Sequence, residues 1–441
     1  MRRCTLTLAF IFIATALQAQ QPDPELTKHI DSIQAIDNHS HVVAPDLEHD
    51  KNYDALRCDQ LPGNALPMAN LRFGPDLISA WKGLWGFEGH TEADANSPDL
   101  KARIAAARLA HPGPAFHDWV LQQSNIDIVL ANRIAMAPQL SKEHFRWVPY
   151  DDALLFPLNN SALKAANPDR KALFEMEEPI LKSYVADSGL KEIPRSLDDY
   201  VEKVVKPTLQ RQKAAGAVAI KFEAAYLRSL DFDPLASHSM ASLKYSLQPL
   251  ATKAIPAQFV ADYKLLQDYL FHQIALEAGR LGLAVHIHTG LGCGEYFNDA
   301  GSDPMLLINV LNDPELRHTN FVLLHGGSPF NAHITSLIAK PNVYVDTSVL
   351  ELIYSPPELA RMMRPWLEIM PEHILFGTDA SPFGPGENWE ETTWLGSRNA
   401  RRAIAIALTQ MMNEDVITRD RAKEIANSIL RGNAENLYFK K

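Results

Sequence analysis

Eight short apolar or β-branched runs alternate with helical patterns along this chain, and this alternation constrains its fold more than any other feature. Helical patterns between the runs include Tyr263–Leu281, Pro304–Leu311, Ala332–Ala339 and Pro357–Ile369. Alternating strands and helices are typical of parallel α/β architecture, and eight such units predict a closed (β/α)8 barrel, the TIM barrel. The predicted strands are Ile33–Asn38, Ile126–Leu130, Phe145–Pro149, Ala217–Phe222, Leu283–His288, Phe321–His325, Asn342–Asp346 and Ile374–Asp379.

The length of 441 residues exceeds the roughly 250 residues of a plain barrel. Residues 42–120 and 159–212 are longer than ordinary connections, so we expect helical insertions after strand 1 and before strand 4 that cap the barrel mouth. A separate small helical domain is the alternative interpretation. The patterns Asn399–Leu408 and Arg419–Leu430 predict closing helices. We therefore expect one barrel domain over residues 20–441.

The first nineteen residues have the pattern of a secretory signal peptide. A cationic start, Met1-Arg2-Arg3, precedes the apolar run Leu6–Leu17 and then small residues. The apolar run is shorter than the roughly 20 residues that span a bilayer, although an uncleaved anchor is the alternative. We expect an exported bacterial protein, periplasmic or secreted. Cys58 and Cys293 would remain after cleavage, and an exported chain permits a disulfide between them.

The charge balance bears on the kind of partner. The chain carries 53 Asp and Glu against 42 Lys and Arg, a formal net charge of −11. Nucleic-acid binders normally present a basic stripe, so this balance argues against nucleic acid as a partner. No segment after the signal reads as membrane-spanning, and a small molecule is the expected partner. The sequence leaves open whether the chain forms a homo-oligomer.

The first predicted strand ends in Asp37-Asn38-His39-Ser40-His41. Side chains alternate between the faces of a strand, so His39 and His41 point the same way. Neutral imidazoles on one face are suited to a zinc-type metal ion. Two histidines at this spacing are a weak signal on their own, since a pair of surface histidines would look the same.

Other predicted strands end in polar residues as well. Lys221 lies at the end of the fourth strand, His325 ends the sixth and Asp379 ends the eighth. The fifth ends in His286-Ile287-His288, whose two histidines share a face. His288 lies nearer the expected mouth, and His286 fits a hydrogen-bonded residue of the lumen. Because active sites of such barrels lie at the carboxyl ends of the strands, these groups are expected to converge.

These motifs resemble the amidohydrolase superfamily of metal-dependent hydrolases. The most specific pieces are Asp37-x-His39-x-His41, Ile287-His288-Thr289-Gly290, Leu324-His325-Gly326-Gly327 and Gly377-Thr378-Asp379-Ala380. Segments 221–226 and 342–348 look like the branch with uronate-isomerase-like and decarboxylase-like members, and like the amidohydrolase domain fused to glutamine-synthetase-like domains. The resemblance implies metal positions at His39, His41, Lys221, His288, His325 and Asp379, of which His325 and Asp379 are also catalytic.

Lys221 is the ambiguous member of this set, and a bridging role in a two-metal centre is the preferred interpretation. In two-metal members of the superfamily a lysine here is carbamylated and bridges the metals, because a free ammonium cannot ligate a cation. In other members the lysine contacts substrate or is structural. The resemblance therefore implies one or two divalent ions, zinc foremost, and carbamylation of Lys221 in the two-metal case.

The expected activity is hydrolysis of a C–N or C–O bond in a small carbonyl substrate. Metal-activated water would attack the carbonyl, and Asp379 would pass the proton to the leaving group. A non-oxidative decarboxylase, a uronate-isomerase-like enzyme and a non-catalytic binding protein are the alternatives. Arg133, Tyr226 and Arg228 follow strands and are candidates for substrate contact, although a surface arginine in a salt bridge is an equally good interpretation of each arginine.

Overall fold

The structure, a computed structural model, describes residues 21–44, 50, 52–55, 61, 69–234, 236–246, 257–383 and 386–440. The predicted signal segment 1–19 and Cys58 lie outside these residues. All eight predicted strands are present. They are β1 (Ala35–Ser40), β2 (Ile126–Asn132), β3 (Phe145–Val148), β4 (Ala219–Phe222), β5 (Ala284–Ile287), β6 (Phe321–Leu323), β7 (Val343–Asp346) and β8 (Ile374–Leu375).

The strands form two parallel sheets whose edges meet. One sheet has the order β1-β2-β3 and the other β4-β5-β6-β7-β8. Lys221 N donates to Pro149 O at 2.8 Å, which joins β4 to the chain leaving β3. Asn38 N donates to Phe376 O at 2.8 Å, which joins β1 to the chain leaving β8. Because both pairs of edges are bridged, the predicted TIM-barrel architecture is confirmed.

Helices follow most of the strands. Short 3-10 turns supplement them, including Asp152–Leu155, Pro304–Leu307 and Leu324–Gly327. Among the described helices, none combines the length and the apolar composition needed to cross a bilayer. The α-helices are Pro24–Asp31, Ala69–Trp85, Pro98–Ala110, Pro114–Ser124, Ser161–Ala166, Pro168–Asp187, Leu197–Tyr200, Lys206–Ala214, Ala224–Leu227, His238–Ser246, Ala257–Leu281, Ile308–Leu311, Asn331–Leu337, Leu350–Ile353, Pro356–Ile369, Trp389–Asn413 and Arg419–Asn427.

Most of the described residues in the predicted insertions are helical. Helix Ala69–Trp85 in the first insertion packs on the closing helix Trp389–Asn413, where Trp85 Nε1 donates to Glu391 Oε1 at 2.7 Å. A third long connection, residues 223–283, was not predicted as an insertion. The last of its three described α-helices begins at Ala257, earlier than the apolar periodicity indicates.

Strands β3 to β8 are all shorter than predicted, and in β6 and β8 the reason is local backbone geometry. β6 ends at Leu323 because His325 adopts a φ of 64° in the left-handed region. β8 ends at Leu375, and Asp379 beyond it has a φ of 54°. Non-glycine residues rarely adopt positive φ, and such positions cluster at functional sites. The same turns that end the two strands therefore set the direction of His325 and Asp379.

The amino end of the barrel lumen is closed by apolar side chains. One layer comes from the strands, and the segment that follows helix Arg419–Asn427 packs beneath it with Leu437, Tyr438 and Phe439. The polar residues predicted for the site lie above this layer. The layer consists of Ile36, Leu130, Val148, Ala219, Ala284, Val322, Leu324 and Leu375.

Candidate metal centre

Two histidines of the first strand region converge on one carboxylate. Asp379 Oδ1 lies 2.9 Å from His39 Nε2 and 3.2 Å from His41 Nε2. His39 is fully buried, and 15% of the Asp379 side chain is exposed. The backbone carries the carboxylate there, since Asp379 N donates to His39 O at 2.8 Å. The structure thus brings together three of the predicted metal residues at the carboxyl end of the barrel.

His325 joins this cluster from β6. One nitrogen of His39, one nitrogen of His325 and one oxygen of Asp379 all lie within 4.8 Å of one another. The His325 ring is 5.2 Å from the His39 ring, centroid to centroid. This spacing can accommodate a metal ion shared by the three side chains.

The protonation states suit a cation. Burial lowers the pKa of His39 well below its usual value, with Lys221 adding to the effect, and burial lowers the pKa of His325 to about 4. Although burial opposes ionisation of Asp379, His325 and His39 hold the pKa of that carboxyl well below its usual range. Neutral imidazoles beside an ionised carboxylate are the donor set that divalent transition metals prefer.

His41 lies between two carboxylates. Asp54 Oδ2 is 3.1 Å from His41 Nδ1, on the ring edge opposite Asp379. Burial opposes a charge on this ring, yet Asp54 and Asp379 raise the pKa of His41 to about 10. The carboxylates therefore hold positive charge next to Asp379, and a metal ion could take the place of that proton. Tyr150 completes the arrangement because its hydroxyl donates to Asp54 Oδ1 at 2.9 Å.

The second nitrogen of His39 faces the amide of Asn132. Asn132 Oδ1 is buried without a hydrogen-bond partner among the described residues. Turning the amide by 180° lets Oδ1 accept the His39 Nδ1 proton, which satisfies the oxygen and leaves the lone pair of Nε2 free. Metal-binding histidines commonly hydrogen-bond through their other nitrogen in this way. The hydrogen bonding of His39 therefore fits a metal ligand, as the protonation states do.

The carboxylate of Asp37 in β1 accepts hydrogen bonds from the segment that follows β8. Thr378 Oγ1 donates to Asp37 Oδ2 at 2.6 Å, and Thr378 N donates to Asp37 Oδ1 at 2.9 Å. His39 N also donates to Asp37 Oδ1, at 3.2 Å. Since Asp379 follows Thr378, this one carboxyl sets the distance between Asp379 and His39.

Lys221 is buried beside the cluster and is paired with another buried residue. Its Nζ lies 2.9 Å from Glu223 Oε1 and 3.3 Å from His39 Nε2. An ammonium form of Lys221 accounts for the ion pair with Glu223. The other oxygen of Glu223 lies 3.5 Å from His288 Nδ1.

His288 stands next to the cluster, and its ring centroid lies 4.6 Å from that of His325. Its Nε2 is buried without a hydrogen-bond partner among the described residues. Tyr226 covers the ring, with 4.7 Å between centroids, and the Tyr226 hydroxyl accepts from Cys293 N at 3.4 Å. A direct role of His288 in metal binding stays a prediction, as does substrate contact by Tyr226.

The guanidinium groups of both arginines predicted to contact substrate are paired with other groups of the protein. Arg133 Nη2 lies 2.6 Å from Asp50 Oδ1, and its Nε donates to Ala135 O at 2.9 Å. Arg228 Nη2 lies 2.6 Å from Asp268 Oδ1, and its guanidinium stacks on a phenylalanine ring at 4.1 Å. These contacts favour a structural role for each arginine, and substrate contact by either stays a prediction. Cys293 is disulfide-bonded, while Cys58, its expected partner, lies outside the described residues.

Several residues around the cluster were not identified from the sequence. Asn132, Tyr150 and Glu223 each end or follow a barrel strand, so the rule that found His325 and Asp379 would have found them too. Asp54 lies in the first insertion and carries no sequence signal. Ser348 lies in a segment that contributed to the resemblance, without an assigned role.

Comparisons with known proteins provide separate evidence on the family of this chain. Residues 200–440 match the family model for amidohydrolases. A stretch of 229 residues, 50% of the chain, is 28% identical to Protein fluG of Emericella nidulans and covers 25% of that protein. The match thus spans about a quarter of the length of this curated relative.

Two solved structures share the fold over almost the whole chain. A uronate isomerase from Thermotoga maritima aligns with a TM-score of 0.62 and 12% identity, covering 94% of this chain and 96% of that one. A protein named as a metal-dependent hydrolase, from Lactobacillus casei, aligns with a TM-score of 0.58 and 16% identity, covering 94% and 97%. At such identities the likeness shows a common fold. Because the family model covers more than half of the sequence, the chain belongs to the amidohydrolase family.

Proposed function

We propose that this protein is a metal-dependent hydrolase that cleaves a C–N or C–O bond of a small carbonyl compound. The observation that carries the proposal is the position of Asp379 Oδ1, 2.9 Å from His39 Nε2 and 3.2 Å from His41 Nε2. His39, His41 and Asp379 would hold one divalent cation, zinc foremost, with His325 beside them. When bound, the cation would supply Lewis-acid chemistry, which polarises a carbonyl and lowers the pKa of water.

Asp379 is suited to move a proton. Its pKa is held well below the usual range, so the carboxylate is ionised at neutral pH and can accept a proton from the attacking water. Its Oδ2 lies 4.0 Å from His325 Nδ1. Positioned acid–base groups contribute about 10²- to 10⁴-fold to rate. We assign Asp379 the transfer of this proton to the leaving group.

His288 and Tyr226 would form the substrate side of the site. Nε2 of His288 has no hydrogen-bond partner among the described residues, is buried near His325 and can hydrogen-bond to a substrate oxygen. The Tyr226 ring beside it offers an apolar wall. These contacts suit a small, polar carbonyl compound.

The ion pair of Lys221 with Glu223 supports a centre with one cation and an unmodified lysine. A carbamylated Lys221 that bridges two cations is the alternative. The two cases differ in metal count and in the mass of the intact chain, which gains one CO2 in the carbamylated form.

An isomerase that uses the same residues is the second candidate function. The observation in its favour is the fold shared with the uronate isomerase over 94% of this chain. Such an enzyme would move a proton between neighbouring carbon atoms of a sugar acid, without consuming water. A decarboxylase on this site would likewise need no nucleophilic water.

Isotopically labelled water separates these activities. The zinc-loaded full chain is incubated in labelled water with amides, esters, lactones, uronic acids and carboxylated aromatic acids. A hydrolase places the label in the acid product of an amide, ester or lactone. Turnover confined to uronic acids, or release of CO2 alone, would replace the proposed function with one of the alternatives.

A further inference from the structure

The segment Glu435–Phe439 lies against the amino end of the barrel. Its sequence looks like part of an engineered protease recognition tag, yet its side chains are integrated into the fold. Leu437, Tyr438 and Phe439 pack on the apolar layer of the lumen. Just before the segment, Asn433 Nδ2 donates to Pro371 O and Ile374 O at 2.8 Å each, which anchors the backbone there. The hydroxyl of Tyr438 thereby reaches the interior of the barrel.

Tyr438 makes two hydrogen bonds with residues of the strands. Its hydroxyl donates to Asn38 Oδ1 at 2.5 Å, and its oxygen lies 2.7 Å from His286 Nε2. Burial lowers the pKa of His286 to about 3, so the ring is neutral. Because the tyrosine proton goes to Asn38, His286 donates its Nε2 proton to the tyrosine oxygen. These two bonds fix the direction in which the protons point.

The same order of donor and acceptor continues from Asn38 to the buried carboxylate of Asp346. Asn38 Nδ2 donates to Asp346 Oδ2 at 2.9 Å. The other oxygen of Asp346 accepts from Ser348 Oγ at 2.7 Å and from His325 N at 2.8 Å. Asp346 is fully buried, so these donors are what stabilise its charge. The carboxylate therefore connects Asn38 to the loop that carries His325.

The last hydrogen bond of this network connects Ser348 to His325, a residue of the proposed metal centre. Ser348 Oγ lies 2.9 Å from His325 Nδ1. Since the Ser348 proton is given to Asp346, the serine oxygen accepts the Nδ1 proton of His325. A neutral imidazole has one proton, so the lone pair of His325 is then on Nε2. The network thus places the lone pair of His325 on Nε2 and its proton on Nδ1, the nitrogen that lies 4.0 Å from Asp379 Oδ2.

We propose that Tyr438 is a positioning residue for the metal centre, acting through Asn38, Asp346 and Ser348 on the orientation and tautomer of His325. The inference rests on the proposed metal centre and adds a control over it from the opposite end of the barrel. Hydrogen bonds that hold a metal-binding side chain in place typically change metal affinity by about 10- to 100-fold. Tyr438 touches neither substrate nor metal in this account.

The test is a titration of the full chain with Co²⁺, followed by visible absorption. Tyr438→Phe removes the hydroxyl and keeps the ring. We expect its Kd for Co²⁺ to rise about tenfold, with a change in the Co²⁺ spectrum. Tyr245→Phe is the matched control, because it removes a hydroxyl that donates to Pro194 O at 2.8 Å, far along the chain from these residues. Equal effects in the two variants, or none in Tyr438→Phe, would overturn the proposal.

A double-mutant cycle with Ser348→Ala tests whether the effect of Tyr438 on Co²⁺ binding passes through Ser348. If Tyr438 acts through Ser348, the double variant binds Co²⁺ no more weakly than Ser348→Ala alone. Residues in one hydrogen-bond network are coupled in this manner, whereas independent residues give additive free energies. Additive losses would show that Tyr438 does not act through Ser348, which would overturn the proposal.

The wild-type titration separates this inference from the proposed function. A wild-type chain that fails to bind Co²⁺ through His39 and His41 would contradict the metal centre itself. A wild-type chain that binds Co²⁺ while Tyr438→Phe binds it equally well would contradict the positioning role alone.

Discussion

Asp54 Oδ2 lies 3.1 Å from His41 Nδ1, so a carboxylate supports the imidazole on the edge opposite Asp379. A carboxylate behind a metal-binding histidine fixes the ring and increases its basicity as a ligand. Tyr150 in turn donates to Asp54 at 2.9 Å. The proposed centre therefore has an outer layer supplied by the first insertion and by the end of β3.

Asp54→Asn is expected to weaken metal binding about 10- to 100-fold, because the amide supports the His41 ring less strongly. Competition of the full chain with a chromogenic zinc chelator measures the change. Asp198→Asn is the control, since Asp198 pairs with the exposed His238 at 2.5 Å. An affinity in Asp54→Asn equal to that of the control variant would remove Asp54 from the centre.

Asp379→Asn is expected to reduce turnover by at least about 10²-fold and to leave the protein folded. Asparagine tolerates the positive φ of 54° at this position, so the backbone can be retained. Asp415→Asn is the matched control because exposed Asp415 has a φ of 57°. The measurement is the rate on the best substrate of the panel. Near-normal turnover in Asp379→Asn would exclude it from proton transfer.

Lys221→Met is expected to lower the free energy of unfolding by about 3–5 kcal/mol, because it leaves the buried carboxylate of Glu223 without its ammonium partner. Adding Glu223→Gln to Lys221→Met should restore most of the lost free energy of unfolding. Urea denaturation of the metal-free chain measures both effects.

Lys203→Met is the control for this pair. Lys203 lies 2.9 Å from Asp199, as close as Lys221 to Glu223, but both side chains are about half exposed. Exposed pairs contribute about 0–1 kcal/mol, so little change is expected. An intact mass that includes one CO2 on Lys221, together with two bound metal ions, would instead support the bridging role.

Asp151 is expected to make stability fall as pH rises. Burial raises its pKa to about 7, against a hydrogen bond from Gln212, so the folded state holds this proton more tightly than the unfolded state. The unfolding free energy therefore decreases between about pH 4 and pH 7. One pKa unit corresponds to about 1.4 kcal/mol, which limits the effect to about 4 kcal/mol.

Asp151→Asn should flatten this decrease and make the chain more stable than wild type at about pH 8. Urea denaturation of the metal-free chain across this range provides the comparison. Asp187→Asn, at an exposed position, should leave the slope unchanged. A slope identical in Asp151→Asn and wild type would show that Asp151 does not titrate in this range.

The strand order and the convergence of the central site residues could be predicted because both depend on local pattern. Apolar runs mark the strands, and His39, His325 and Asp379 follow them directly. The supporting residues are harder to predict, because Asp54 meets His41 only through the tertiary fold of an insertion. The positive φ of His325 and Asp379 likewise depends on packing rather than on residue type. The signal segment and export stay predictions.

The count of tightly bound zinc per chain is the decisive measurement for the proposed metal centre. After chelation and reloading, equilibrium dialysis of the wild-type chain should retain about one Zn²⁺, which is lost in the variant that combines His39→Asn with His41→Asn. Circular dichroism checks that this variant is folded. Equal zinc retention by the two folded proteins would contradict a metal centre at His39, His41 and Asp379.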